Sequence, residues 1–434
     1  MERYFSWTIG CQMNKADSER LESALTQLGL TPTESPEEAD LLVVNSCVVR
    51  QNAEDKVVGM LGTLKPLKRD RPDRVVALMG CMVGPGREQD ALRARFPYVD
   101  VFMQPQDYAP LLDLLGERLG VDVEGCLGPL VPPNPEVTAF VPIIQGCDKF
   151  CSFCIIPYRR GRQVSKPVEE VVREVSLLAQ RGVREVTLLG QTVDAYGYDL
   201  PDKPDLALLL EAVHEVDGIG RIRFLTSHPN DMTDRIIQAV ADLPKVCENF
   251  NLPFQAGDDV VLENMRRGYT NAQYRDLVHK VRSMVPGVAM VTDLIVGFPG
   301  ETEAQFQQTY DLVNDLHFDK VHTAMYSPRP NTISLRQLTD DVPQAEKHRR
   351  VSAIDQLQAG IQADINKAYV GNVYEVLVDG HRRGQWTART RTDKLVYIDN
   401  PQPLLGHTID AAIHEATSWS LRGKTAVPVA KIPS

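Results

Sequence analysis

Three cysteines, Cys147, Cys151 and Cys154, stand in C-x3-C-x2-C spacing directly after the apolar run Val141 to Ile144. Thiolates this close together favour a metal. Structural zinc takes four ligands, commonly as two separated pairs, whereas this triplet supplies three and nothing local adds a fourth. An iron-sulfur cubane fits better: with one thiolate on each of three irons, the fourth iron is open to a small-molecule chelator. The alternative is three buried small hydrophobes or part of a zinc knuckle. It gives no account of the aromatic Phe153 before the last cysteine, the strand-like run ahead of the triplet, or the helical pattern behind it.

Cys11, Cys47 and Cys81 follow three other apolar runs, Tyr4 to Ile9, Leu41 to Val44 and Val75 to Met79. Each run is followed by a helical pattern. In Ala16 to Leu28, for example, Leu21, Ala24, Leu25 and Leu28 recur at helical spacing, and Gly29 stands where a C-cap glycine belongs. The alternation predicts a doubly wound parallel sheet. Cysteines just past the carboxyl ends of its strands share the edge where open α/β sheets hold ligands, so the three can converge on a second metal site. Read singly, each would be an ordinary buried thiol. Cys126, in the Gly/Pro-rich stretch Gly120 to Pro135, and Cys247, at the start of a strand after Lys245-Val246, are read as packing or incidental thiols.

From Thr138 to about Arg336, six strand candidates alternate with helices: Phe140 to Ile144, Glu185 to Leu189, Ile222 to Thr226, Phe250 to Pro253, Val288 to Val296 and Lys320 to Tyr326. Six βα units predict a partial (β/α)6 barrel with its reactive groups at the C-terminal mouth of the strands, where the cysteine triplet falls. In the helix Pro167 to Gln180, Val171, Val172, Val175 and Leu178 form the buried stripe. Pro343 opens a long helix with Val351, Ile354, Leu357, Ile361 and Ile365 on one face. Residues 367–434 alternate apolar and polar positions, as in Tyr374, Val376 and Val378, and predict a small all-β barrel.

The chain has 434 residues and a formal charge of −11, from 47 Lys/Arg and 58 Asp/Glu, which argues against indiscriminate nucleic-acid binding over its whole surface. Residues 367–434 carry nine Lys/Arg against six Asp/Glu, about +3, leaving about −14 for the rest. In that basic segment Arg382, Arg383, Arg389, Arg391 and Lys394 flank Trp386, and cations interleaved with an aromatic suit phosphate contact with base stacking. The plainer alternative is a solvated charged face. No run of eighteen apolar residues and no apolar leader segment occurs, so a cytoplasmic protein without membrane spans is expected. Eight cysteines, six of them assigned to metal, predict no structural disulfide.

The triplet resembles that of the radical S-adenosylmethionine (SAM) enzymes. Gly10-Cys-Gln-Met-Asn14, Asn45-Ser-Cys47 and Gly80-Cys-Met82 resemble the N-terminal domain of their methylthiotransferase branch, and the last segment resembles the RNA-binding TRAM domain. Together these cover nearly the whole chain. Ile156-Pro-Tyr-Arg-Arg-Gly161, Tyr326-Ser-Pro-Arg-Pro330, Gln385-Trp386 and Arg389-Thr-Arg-Thr392 are similar to the MiaB-type tRNA methylthiotransferases, more than to the sister branch acting on ribosomal protein S12.

The resemblance implies a methylthiotransferase domain at 1–118, a linker at 119–137, a radical-SAM domain at 138–366 and a TRAM domain at 367–434. It implies two 4Fe-4S clusters, one on Cys147, Cys151 and Cys154 and an auxiliary one on Cys11, Cys47 and Cys81. It implies SAM as both methyl donor and radical source, with contacts from Phe153, Gln191, Ser227, Gln255 and Gly297. RNA contacts fall on Arg382, Arg383, Trp386, Arg389, Arg391 and Lys394. The implied partners are a tRNA carrying N6-isopentenyladenosine at position 37, methylthiolated at C2, and an electron donor such as flavodoxin or ferredoxin; a monomer is expected. Asp194-Ala195 stands where Asn-Ser is usual in the family, Ala256 where Ser is common and Asn331 where Gly is common, which bears on substrate detail. A rival from another class is a non-enzymatic iron-sulfur protein that binds RNA or senses redox state.

Overall fold

The computed structural model describes residues 1–49, 51–123, 128–132 and 134–426; Cys126 and the last eight residues of the expected C-terminal barrel lie outside them. The N-terminal runs form β1 (Arg3–Thr8), β2 (Thr31–Pro32), β3 (Leu41–Ser46), β4 (Val75–Gly80) and β5 (Val101–Met103), a parallel sheet ordered β2-β1-β3-β4-β5. Every residue of β3 and β4 is buried, which is why they read as continuous apolar runs. Strand alternation divides them between two layers. Leu41, Val43, Val75 and Ala77 pack with Leu21, Leu25 and Leu111, while Leu42, Val44, Val76 and Leu78 pack with Val57, Leu61 and Leu64. Helices therefore cover both faces, a doubly wound sheet.

The barrel comprises β6 (Thr138–Pro142), an antiparallel pair β7 (Ile144–Gln145) and β8 (Val164–Ser165), then β9 (Glu185–Leu189), β10 (Arg221–Leu225), β11 (Asn249–Asn251), β12 (Ala289–Val296) and β13 (Lys320–Met325). The cysteine triplet lies on the connection from β7 to β8. Parallel sheets β10-β9-β6 and β11-β12-β13 join at one seam, where Ile222 N donates to Lys245 O at 2.7 Å and Cys247 N to Ile222 O at 2.9 Å. Consecutive strands are thus neighbours throughout, as a partial barrel requires. The expected strand at Phe250 to Pro253 stops at Asn251, ahead of Pro253, which has no N–H for a ladder. Cys247 precedes β11 rather than opening a strand, and is buried.

Pro343 caps the helix Gln344–Lys367, which buries Ile354 and Ile361 against the barrel. Its polar Lys347, Arg350, Gln358 and Asn366 are buried too, because each finds a partner: Asp340, Glu301, the Phe318 carbonyl and the Thr417 carbonyl. Beyond it, β14 (Val373–Arg382), β15 (Gln385–Thr390), β16 (Leu395–Ile398), β17 (Thr408–Ala416) and β18 (Leu421–Thr425) close into a barrel ordered β14-β15-β16-β18-β17. The turn after β15 docks on the N-terminal ends of the large barrel's strands. There Arg221 donates to Arg389 O at 2.7 Å, Arg223 to Arg391 O at 2.6 Å and Asn249 to Thr392 O at 3.4 Å. Among the described residues no helix is long and apolar enough to cross a membrane.

Candidate active site

The cysteine loop leaves β7 through Gly146, which has φ 70° and whose added Cβ would lie 2.1 Å from Arg162 O, so only glycine fits. Every sulfur is buried or half-buried. Thr192 Oγ1 lies 3.3 Å from Cys147 Sγ, Lys149 N donates to the same sulfur at 3.4 Å, and Arg267 Nη1 donates to Cys151 Sγ at 3.3 Å. Arg267 is held in turn by Pro253 O at 3.1 Å and Tyr269 Oη at 3.0 Å. Nothing in the sequence pattern around Arg267 singled it out. Burial, then Cys151 and Cys147, push the Cys154 thiol up to about 12, and burial raises Cys147 as well. Such thiols stay protonated unless a strong cation displaces the protons, and an iron cluster is of that kind.

Around the loop, the strand ends present polar atoms with nothing to bond. Gln191 Oε1, Asp194 Oδ1 and Ser227 Oγ are buried without a partner. Orphans of this kind cost free energy unless a polar ligand meets them. Thr226 at φ 75° and Gln255 at φ 70° hold left-handed backbone, a strain of about 1–3 kcal/mol each that clusters at functional sites. Phe153 packs half-buried on the barrel core. Gly297 is accounted for differently: a Cβ there would lie 2.4 Å from Lys347 Cγ, so its lack of a side chain serves packing.

Asp194 is fully buried; its Oδ2 accepts from His228 N at 2.7 Å. Burial, with Asp231 adding, holds its carboxyl well above the usual carboxylate range. His228 is neutral: burial, then the charges of Arg267 and Lys149, push it down to about 2. Asn331 adopts φ 67°, a conformation asparagine tolerates where glycine is common. Ala256 is buried, and its hydrogen-bonded N–H reaches Phe254 O at 2.9 Å.

Cys11 caps the helix Gln12–Gln27, Cys47 follows β3 and Cys81 follows β4, so all three sit at one sheet edge. A Cβ on Gly10 would lie 2.9 Å from Cys47 Cβ. The flanking motifs interlock: Asn14 Nδ2 donates to Asn45 Oδ1 at 3.0 Å and to Ser46 O at 3.0 Å, while Cys11 Sγ donates to Asn14 Oδ1 at 3.3 Å. Burial pushes the Cys81 thiol up to about 11, with Arg160 opposing and Cys47 and Cys11 adding. Among the described residues no three His, Cys, Asp or Glu side chains meet as ligands of a single ion. A cubane does not call for that, since its thiolates bind separate irons.

This edge faces the barrel mouth. Ile155, the residue after Cys154, packs in one cluster with Cys81 and with Val48, the residue after Cys47. The short helix Ile156–Arg160 then reaches into the N-terminal domain, pairing Arg159 with Glu88 and Arg160 with Asp17. Arg329 pairs with Glu54 at 3.2 Å, and Asn331 bonds Glu88. A cleft of about 940 Å³, lined by Gly10, Cys11, Lys15, Phe140 and Glu174, opens beside Cys11 between the first helix and the barrel.

Of the six expected RNA contacts, Arg382 and Arg383 are exposed at the turn between β14 and β15. Trp386 donates from Nε1 to Asn400 O at 3.0 Å and meets His381 edge-on. Arg389 is half-exposed between Asp379 and Asp393. Arg391 and Lys394 correct the expectation. Arg391 pairs with Glu248 at 2.7 Å and donates to Val246 O at 2.6 Å, and buried Lys394 pairs with Asp319 at 2.8 Å. Both fasten the small barrel to the large one, because the turn they occupy is the docked one.

Family models match residues 3–104 (Uncharacterized protein family UPF0004), 141–313 (Radical SAM superfamily) and 367–426 (TRAM domain). A Dehalococcoides mccartyi (strain CBDB1) protein named tRNA-2-methylthio-N(6)-dimethylallyladenosine synthase is 46% identical over 424 residues, covering 98% of each chain. A protein of the same name from Roseiflexus sp. (strain RS-1) is 47% identical, covering 97% of this chain and 89% of its own. In fold, the chain resembles the radical S-adenosylmethionine methyltransferase TsrM from Kitasatospora setae, with a TM-score of 0.56 at 14% identity over 77% of this chain and 74% of that one. It also resembles the cobalamin-dependent radical enzyme OxsB, with a TM-score of 0.51 at 10% identity over 82% and 56%. The cysteine loop at the mouth of a partial barrel, the sheet edge facing it and these full-length relatives agree: the chain is a radical-SAM methylthiotransferase and belongs to the MiaB-type family.

Proposed function

We propose that this enzyme converts N6-isopentenyladenosine at position 37 of tRNA to its 2-methylthio derivative, the activity named in its relatives. In this reading Cys147, Cys151 and Cys154 hold the cluster that binds SAM, and Cys11, Cys47 and Cys81 hold a second one. When bound, these groups supply reductive SAM cleavage and the sulfur atom, chemistry that an adenine C2 hydrogen demands because it is not acidic. Gln191, Ser227 and Asp194 offer SAM their unpaired polar atoms, while Arg267 and Thr192 fix the cysteine loop. A flavodoxin or ferredoxin provides electrons, and the enzyme acts as a cytoplasmic monomer.

The observation that supports this reading is the packing of Ile155, the residue after Cys154, in one cluster with Cys81 and with Val48, the residue after Cys47. Cys47→Ala protein should release 5′-deoxyadenosine from SAM yet form no methylthiolated nucleoside, with iron lower by about one cluster. Cys151→Ala should abolish SAM cleavage itself. Full iron and full methylthiolation in Cys47→Ala would refute the assignment of the second site.

A further inference from the structure

Arg160 begins one structural unit and ends in another. Its backbone closes the short helix that follows the barrel's cysteine loop, and its side chain, 1% exposed, enters the N-terminal domain beside Asp17, 0% exposed. Nη2 donates to Asp17 Oδ2 at 2.9 Å. Nη1 is buried and meets no oxygen or nitrogen acceptor; its side of the guanidinium faces the sulfur site, with the Cys81 thiol in contact and Cys11 within electrostatic reach. Arg159, next to it, is already committed to Glu88. A buried guanidinium with one arm satisfied and one open is costly unless the open arm meets an anion. The guanidinium is cationic in any protein environment, so the arm carries a positive charge into the site.

We propose that Arg160 is the positioning residue of the sulfur site: its open Nη1 arm holds an anionic sulfur ligand, a sulfide or an alkanethiolate, at the coordination position that Cys11, Cys47 and Cys81 leave free. This rests on the reading of those three cysteines as ligands of a second cluster. The guanidinium fork suits the task because one arm can be anchored while the other points at the ligand. Since the same residue is rooted in the loop that binds the other cluster, the sulfur is held in register with the barrel mouth.

The test uses anaerobically reconstituted full-length protein titrated with methanethiolate, with binding read from the electron paramagnetic resonance of the reduced clusters and iron counted in each sample. Arg160→Gln strands a buried Asp17, so the decisive variant is the double Arg160→Gln/Asp17→Asn, which removes both charges together. It should keep the iron of both clusters and bind methanethiolate about ten- to a hundredfold more weakly, the loss of one charged hydrogen bond. Arg160→Lys, keeping the charge without the fork, should fall between. Wild-type affinity in the double variant, or loss of the second cluster's iron together with affinity, would overturn the proposal. Iron for one cluster only in the unmutated protein would instead refute the cluster reading on which it rests, and is told apart because no substitution is involved.

Discussion

At the scale of single residues, the cysteines were legible because thiol spacing is itself the chemistry: C-x3-C-x2-C needs no fold to suggest a metal. What surrounds them was not. Arg267 bonds the Cys151 sulfur from 116 positions away and Arg160 comes to lie beside Cys81 from 79, and a lone arginine in a sequence carries no mark of what it will touch. Asp194 was visible only as a departure from a family pattern, and burial explains it. Its folded pKa is raised above its unfolded value, so its contribution to stability is whole below about pH 4 and is lost as pH rises toward the folded pKa. Asp194→Asn escapes that loss. The variant should match wild type near pH 4 and melt higher at pH 8, by roughly 2–4 °C for each 1 kcal/mol relieved in a unit of the barrel's size. Thermal unfolding at both pH values checks this; a variant that melts lower at pH 8 would mean the carboxylate is ionised and needed.

At the scale of elements, apolar runs and their punctuation give strands and helices in the right order, with ends displaced by a residue or two where a proline or a turn intervenes. The helix Val168–Gln180 buries Val171, Val175 and Leu178, the stripe its periodicity indicates. Charge does not reveal its partner in the same way. Arg391 and Lys394 share the composition of Arg382 and Arg383, yet the first two are consumed by Glu248 and Asp319 while the second two face solvent. The double variant Arg382→Ala/Arg383→Ala should therefore lower the slope of log affinity for tRNA against log salt by about one to two. Arg391→Ala should leave that slope in place and loosen the docked turn, seen as faster amide exchange at 390–394. Equal slopes for wild type and the double variant would remove the arginine turn from the RNA surface.

At the scale of the whole molecule, the N-terminal sheet edge meets the mouth of the large barrel, and the small barrel sits on the opposite ends of the same strands. A strand such as β12, eight residues long, spans about 26 Å. A substrate that touches both the small barrel and the cysteines must be larger than a nucleotide, which suits a folded RNA. The apposition of the two cysteine groups arises from pieces far apart in sequence, Ile155 against Cys81 and Arg329 against Glu54, and only the assembled fold discloses it.

The most direct measurement is mass spectrometry of nucleosides from tRNA incubated with the reconstituted enzyme, SAM and a reductant, alongside ribosomal protein S12 treated identically. The account predicts a methylthio gain on N6-isopentenyladenosine alone, absent from tRNA lacking the isopentenyl group and from ribosomal protein S12. A methylthiolated ribosomal protein S12 with unchanged tRNA would contradict it.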